Sequence, residues 1–289
     1  MIDAERPEAA RVSDTTMVQS QSNDDVTQSG APILRARGIV KSFGTQTVLH
    51  GIDLDIEPGL ITVIIGGSGS GKSVLLKHLI GLLNPDEGAV EFRGKVVADM
   101  NRSELLAYRA RIGMLFQSGA LFDSMSVYEN VAFPLREHQR GIKREEERTR
   151  VLNALAELDL SNAERKFPSE LSGGMRKRVA LARATILEPE IILYDEPTTG
   201  LDPIMIKAVD DMIAETAARL RVTSVVISHD MASTFRIAHR VAMLFDGKII
   251  VYGTPAEIRK CDDQRVQDFI HVSGTGPLSR DGANAGGAA

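Results

Sequence analysis

Five consecutive β-branched residues, Ile61-Thr62-Val63-Ile64-Ile65, run directly into Gly66-Gly67-Ser68-Gly69-Ser70-Gly71-Lys72-Ser73, and the apolar-rich stretch Val74-Leu75-Leu76-Lys77-His78-Leu79-Ile80 follows. A stiff run of this kind, without polar alternation, suits a strand buried on both faces. The glycines let the backbone curl with its N–H groups inward, and the helix that follows offers its positive end to an anion. Spaced as Gly-x-x-x-x-Gly-Lys-Ser between strand and helix, the segment predicts a polyphosphate cradle. Lys72 would reach the β- and γ-phosphates and the Ser73 hydroxyl would hold Mg²⁺. Gly66, Gly67, Ser68, Gly69, Ser70, Gly71, Lys72, Ser73 and Val74 form the expected binding set. The motif names neither the nucleotide nor the use of its energy.

A chain of 289 residues, 43% of them hydrophobic, can bury the core of one large or two small domains. No apolar stretch approaches the roughly 20 residues needed to span a bilayer, and the first thirty residues lack the apolar centre of a signal peptide. The expectation is a cytoplasmic chain. Its single cysteine, Cys261, cannot form an internal disulfide and reads as a surface thiol. The formal charge of −5 lies almost wholly in residues 1 to 32, where Asp3, Glu5, Glu8, Asp14, Asp24 and Asp25 outnumber Arg6 and Arg11. A near-neutral remainder argues against a bulk nucleic-acid surface, so no nucleic-acid partner is expected. Residues 1–32 read as a disordered acidic tail, and the Gly- and Ala-rich end as a second loose segment.

Taken in order, Ile33–Val40 and Val48–Ile56 read as two strands joined by a turn at Ser42-Phe43-Gly44. Phe43, ahead of the phosphate loop, is either a stacking platform for a base or an ordinary core aromatic. After the first helix, Ala89–Arg93 and Ile112–Phe116 are further strands, and the second delivers Gln117. Ligands of open α/β sheets gather beyond the carboxyl ends of the strands, so Gln117 could ligate Mg²⁺ or position water; otherwise it is a solvated loop residue. From about Ser126 the pattern turns helical. Ser126 and Glu129 make a capping box, Pro134 should close that helix, and Arg144–Leu158 forms the next one. The charges of Lys143–Arg148 read as a solvated face.

Leu171-Ser172-Gly173-Gly174-Met175 is a second glycine-rich turn opening a helix, and so either a second candidate anion site or an ordinary loop before a helix. Ile191–Tyr194 is a buried strand ending in Asp195-Glu196, where Asp195 can hold Mg²⁺ and Glu196 can accept a proton from the attacking water. Thr198–Pro203 turns into a helix. Val222–Ile227 delivers Ser228-His229-Asp230, placing His229 where it could hydrogen-bond a γ-phosphate. Ala242–Ile250 is a hairpin around Asp246-Gly247 at the sheet edge.

This ordered set resembles the nucleotide-binding subunit of ATP-binding cassette transporters from about Ile33 to Gly253. Phe43 matches the adenine-stacking loop, Gly66–Ser73 the Walker A motif, Gln117 the Q-loop and Leu171–Met175 the signature motif. Ile191–Glu196 matches Walker B with its catalytic glutamate, Gly200–Asp202 the D-loop and His229 the switch histidine. Met175 stands where many members carry glutamine and cannot offer the same hydrogen bonds; Phe43 replaces a common tyrosine but keeps the stacking ring. The stretch Phe116–Leu135, with Leu171–Arg178, is similar to the ATPase of bacterial lipid transporters that work with MCE-domain proteins, the Mla type.

The resemblance implies an α/β fold: a P-loop NTPase (RecA-like) core with an antiparallel β subdomain and an inserted α-helical subdomain. The expected ATPase domain covers 33–260, with its helical part at about 118–189; a C-terminal helix and flexible tail fill 261–289. It implies Mg²⁺-dependent ATP hydrolysis with Glu196, His229 and Gln117 as catalytic residues and Ser73, Gln117 and Asp195 around the metal. Two subunits would form a homodimer head to tail, each ATP lying between the Walker loop of one and Ser172, Gly173, Gly174 and Asp202 of the other. An integral membrane permease and an MCE-domain lipid-binding protein are the further implied partners, with the subunit peripheral on the cytoplasmic side of the inner membrane. Apolar Leu121 and Phe122, next to Gln117, are expected to dock the permease or to pack under the helical block. Another small-molecule or lipophilic cargo is the alternative, as is a soluble non-transport member. The latter lacks support in the absence of long coiled coils or a second cassette, and no Asn-Lys-x-Asp base-reading motif suggests a GTP switch.

Overall fold

The computed structural model describes residues 30–117 and 119–274. The acidic tail up to residue 29, Ser118 and the loose end beyond residue 274 lie outside the described residues.

The described residues form two sheets. The first is antiparallel: β1 (Leu34–Phe43) pairs on one side with β2 (Gln46–Ile56) and on the other with β4 (Glu87–Phe92), and β5 (Lys95–Val96) adds to β4. The turn sits one residue later than the sequence suggests, with Phe43 still in β1. The second sheet has six strands in the order β10-β9-β3-β8-β7-β6, comprising β3 (Ile61–Ile65), β6 (Ile112–Leu115), β7 (Ile191–Asp195), β8 (Thr223–Ser228), β9 (Arg240–Phe245) and β10 (Lys248–Gly253). Its pairs are parallel except for the β9–β10 hairpin at the edge. At the tip of that hairpin Asp246 and Gly247 have φ of +47° and +69°, the left-handed pair that a tight two-residue turn requires.

Strand alternation divides the interior in two. Ile61, Val63 and Ile65 of β3, with Ile192 and Tyr194 of β7, face one core; Ile64 of β3, with Ile191 and Leu193 of β7, faces the other. The second core joins the parallel sheet to the antiparallel one through α1 (Lys72–Leu79), while Tyr108 of α2 (Arg102–Ala110) closes it. The first core receives α3 (Val127–His138), α4 (Arg144–Ala156) and α5 (Gly173–Thr185), together with α6 (Pro203–Leu220) and α7 (Met231–Ile237). Short α8 (Pro255–Arg259) and α9 (Gln264–Gly274) follow the hairpin, and half-buried Cys261 between them packs against this core instead of lying on the surface.

Two expectations about the helices fail for tertiary reasons. Pro134 does not close α3, which runs on to His138. Proline removes one intrahelical hydrogen bond, but Val131 and Leu135 on either side are fully buried, and their packing outweighs that loss. The charged face of Lys143–Arg148 is not uniformly solvated: Glu147 is buried, takes two hydrogen bonds from Arg136 at 2.9 and 2.7 Å, and accepts a third from the Tyr128 hydroxyl at 3.0 Å. That cluster ties α4 to α3, and the arginine holds the Glu147 carboxyl below the ordinary glutamate range.

Candidate nucleotide site

The phosphate loop lies beyond the carboxyl end of β3, flanked by β8, where Ile65 pairs with Ser228, and β9, where it pairs with Met243. β7 sits on the far side of β8, with Asp195 level with Ile227. Adjacent strand ends thus carry the loop, Asp195-Glu196 and His229 on one edge of the sheet, the position where ligands of such sheets bind.

Two glycines of the loop are required by space. A Cβ on Gly66 would stand 2.2 Å from the Leu244 carbonyl oxygen and 2.8 Å from Ser70 Oγ, and one on Gly71 would stand 2.7 Å from Leu49 Cδ2. Gly71 caps α1 in the left-handed region, at φ +105°, and supplies no side chain to the free N–H groups of the first turn, which contains no acid. Those donors are left for an anion. Ser70 Oγ is buried without a hydrogen-bond partner among the described residues, a polar atom pointing at the same need.

Lys72, the first residue of α1, is buried, and its ammonium donates to the Gly66 and Gly67 carbonyls at 2.8 Å each. Burial pushes its pKa down, while Glu196 and Asp195 pull it back up. Asp195 is shifted upward, first by burial and then by the neighbouring Glu196, with Lys72 opposing. Lys72, Asp195 and Glu196 are therefore one electrostatic unit. Glu196 adopts a left-handed φ of +46°, its N–H donates to the Ile227 carbonyl at 3.0 Å, and its Oε2 accepts from the Thr199 hydroxyl at 2.9 Å. His229 Nδ1 lies 3.6 Å from that same oxygen, with the imidazole half exposed. Thr199 is a participant that the sequence alone did not single out; its signal is its place three residues after Glu196 in the turn.

Of the remaining expected residues, some border the loop and others lie away from it. Ser73 is exposed on α1 beside half-buried Val74; Gly67, Ser68 and Gly69 are exposed at the loop's crest. Gln117 is exposed two residues beyond β6. Phe43 is 48% exposed, with the Lys41 ammonium 5.7 Å from its ring centre. Ser172 caps α5 by accepting from the Met175 N–H at 3.2 Å, and it and Gly173 face solvent beside half-buried Gly174. Asp202 caps α6, accepting from the Ile204 and Met205 N–H groups at 3.0 Å. No described hydrogen bond or ion pair joins these last two caps to the phosphate loop.

Near Gln117 lies a groove of about 490 Å³, bordered by Met114, Phe116, Phe122, Phe133, Pro134 and Arg183. Phe122 is 41% exposed, meets the Phe133 ring at a tilt of 56° with ring centres 5.0 Å apart, and lies under the Arg183 guanidinium. Arg183 also donates to the Gly119 and Ala120 carbonyls at 2.9 and 2.8 Å. Leu121 behaves differently from its neighbour and packs against the helical core. Of the apolar pair expected to dock a partner, only Phe122 lines the groove.

A glycine loop on a buried parallel strand, a lysine beneath it and two carboxylates at the next strand end but one define a P-loop nucleotide-binding cassette. The ABC transporter family profile matches residues 49–199. Among named relatives, the probable ribonucleotide transport ATP-binding protein mkl of Mycobacterium leprae is 39% identical over 85% of this chain and 70% of its own. The intermembrane phospholipid transport system ATP-binding protein MlaF of Escherichia coli K12 is 40% identical over 87% of this chain and 93% of its own. A dimeric ATP-binding cassette, MJ0796, solved in a post-hydrolysis state with ADP and Pi, superposes with a TM-score of 0.69 at 31% identity, covering 77% of this chain and 98% of that one. The chain belongs to the ABC transporter family, as an ATPase subunit with the P-loop fold.

Proposed function

We propose that two copies of this chain bind and hydrolyse Mg²⁺-ATP between them and so drive phospholipid movement through a separate membrane permease. The observation that carries the hydrolytic part is the grouping of Lys72, Asp195, Glu196 and His229 at neighbouring strand ends below a loop with free N–H donors. In this reading Lys72 and the first turn of α1 hold the phosphates, Glu196 takes a proton from the attacking water, and His229 faces the γ-phosphate. Phe43 stacks on the base. Gln117 senses the nucleotide from beside the groove. Ser172, Gly173, Gly174 and Asp202 of one copy complete the site of the other, in keeping with the dimeric state of the MJ0796 cassette.

The donor set suits Mg²⁺. Among the described residues no group of three His, Cys, Asp or Glu side chains is arranged to hold an ion by itself. Mg²⁺ is commonly held by one or two protein oxygens together with substrate phosphates, and Ser73 and Asp195, with Gln117, supply such a set. When bound, the ion would neutralise phosphate charge.

Cargo and partners rest on likeness. The MlaF relative is named for phospholipid transport and is covered almost end to end, whereas mkl, named for ribonucleotide transport, is covered over 70% of its length. Among the described residues no helix is long and apolar enough to cross a membrane. In this reading the pathway lies in a permease seated in the groove by Phe122, with an MCE-domain protein in the same complex and this subunit on the cytoplasmic face of the inner membrane. The test is reconstitution with the co-purifying permease in vesicles carrying a fluorescent phospholipid. ATP should drive lipid transfer, and Glu196→Gln should retain ATP yet lose on the order of 10²-fold in turnover together with transfer. Transfer of a labelled ribonucleotide in place of lipid would overturn the cargo assignment.

A further inference from the structure

Lys177 is a lysine that the nucleotide chemistry leaves unused. It lies in the second turn of α5, five residues beyond Ser172, and is 93% shielded from solvent. Its ammonium donates to the carbonyl of Pro197, the residue directly after Glu196. It forms no salt bridge with any described carboxylate, so burial alone acts on it and lowers its pKa. An ammonium buried without a counter-ion is expensive, and an apolar side chain of the same length would fill this space at less cost. The presence of a donor here calls for a use.

That use is found in the turn it holds. Glu196 stands at φ +46°, a conformation that costs any residue with a Cβ and persists only where the surroundings fix it. The Ile227 carbonyl takes the Glu196 N–H, and Thr199 returns an N–H to the Glu196 carbonyl at 3.3 Å as well as its hydroxyl to the carboxylate. These restraints come from β8 and from the turn itself. Lys177 restrains the following peptide from a different element. The same helix also meets the far end of the turn, because a Cβ on Gly174 would lie 3.0 Å from Met205 Cε. α5 therefore borders both ends of the segment running from Pro197 to Met205.

We infer that Lys177 is a positioning residue: from the helix that begins at Ser172 it fixes the Glu196–Pro197 turn, so that the placement of this helix sets the aim of the carboxylate. The inference rests on the proposed role of Glu196. It predicts a defect in the chemical step and none in nucleotide capture, because Lys177 touches neither the loop nor Phe43.

The experiment compares Lys177→Met, which keeps the length and removes the donor, with Lys177→Gln, which keeps a donor without the charge. Steady-state ATPase kinetics, binding of a fluorescent ATP analogue and thermal melting are measured on each, with Glu196→Gln alongside. Lys177→Met should lower kcat by about 10- to 100-fold, the usual consequence of ångström-scale misplacement, with KM within about 2-fold. Lys177→Gln should recover most of that loss. Wild-type kcat in Lys177→Met, or equal impairment of both variants, overturns the inference, as does a loss of kcat that only follows the loss of folded protein. If Glu196→Gln itself turns over normally, the reading of Glu196 fails; if Glu196→Gln is inactive while Lys177→Met is normal, only the role of Lys177 fails.

Discussion

Gly66→Ala isolates the steric part of the phosphate loop. The added methyl would sit 2.2 Å from the Leu244 carbonyl oxygen, which belongs to a β9 strand fixed on one side by β3 and on the other by β10. Relieving that contact to about 3.2 Å requires a relative shift of about 1 Å, in packing that yields little. Overpacking of this kind costs about 1–3 kcal/mol, and the φ of +156° adds strain for a residue with a Cβ. For a chain of this size that corresponds to a fall in Tm of about 2–12 °C. Gly67 is the internal control: no atom lies within 4 Å of its added Cβ and its φ is not positive, so Gly67→Ala should change Tm by less than about 2 °C. Gly69, equally open but at φ +80°, should fall between the two. Melting is followed without nucleotide, so that contacts to phosphate do not enter. A fluorescent ATP analogue then measures binding, which Gly66→Ala should weaken by up to about 10²-fold through displacement of the loop. Equal melting of Gly66→Ala and wild type, or an equal loss in Gly67→Ala, refutes the steric account.

Three further outcomes are expected, two from the Arg136–Glu147 geometry and one from the proposed pairing of copies. Arg136→Ala should destabilise the protein by about 1–3 kcal/mol because it leaves the buried Glu147 without its two charged donors, and Arg136→Ala with Glu147→Ala should recover part of the loss in a double-mutant cycle. Since Arg136 depresses the Glu147 pKa, the stabilisation is present above the unfolded value near 4.5 and disappears as pH falls through the lower folded value; melts at pH 7 and below pH 4 should converge more in Glu147→Gln than in wild type. A verified mixed dimer of Lys72→Ala with Ser172→Ala should retain one intact site if copies meet head to tail, whereas sites confined to single chains would both be damaged, and ATP binding counted per dimer separates these cases.

Local rules made the centre of this fold legible before any coordinates. The β-branched run of β3, the glycine loop and α1 are contiguous, and the Ser126–Glu129 capping box forms as read. The features that escaped depend on partners distant in sequence. Pro134 stays helical because of what Val131 and Leu135 bury against, and Glu147 leaves the charged face because Arg136, eleven residues earlier, reaches it. Leu121 and Phe122 are adjacent and equally apolar, yet one enters the core and the other borders the groove. α2 announces itself only through Asn101 and Glu104, a capping box with a weak apolar stripe behind it. Motif order singled out Lys72, Asp195, Glu196 and His229 as candidates, which the fold sets at neighbouring strand ends, but order cannot show that Thr199 donates to the Glu196 carboxylate or that Lys177 reaches the Pro197 carbonyl.

The two glycine-rich turns, similar in sequence, answer to different demands. Gly66 and Gly71 are glycines because this chain fills the space a side chain would take, with Leu244, Ser70 and Leu49 against them. Gly173 is not explained that way: its added Cβ would meet only Arg176 Nη2, at 3.9 Å, and Gly173 is exposed. As the first residue of α5 it also lacks a positive φ, so neither backbone nor packing within the chain calls for glycine. Alanine would favour the helix and serine would add a donor, and glycine gives up both. A bare backbone at an exposed helix start does have one physical advantage: a phosphate can come directly onto its N–H groups, with Ser172 beside them. No described bond joins Lys72 or Glu196 to this turn, so within one chain nothing ties the two candidate anion sites to a single phosphate. A head-to-tail pair lets both serve the same one, and that economy is the structural argument for a shared site.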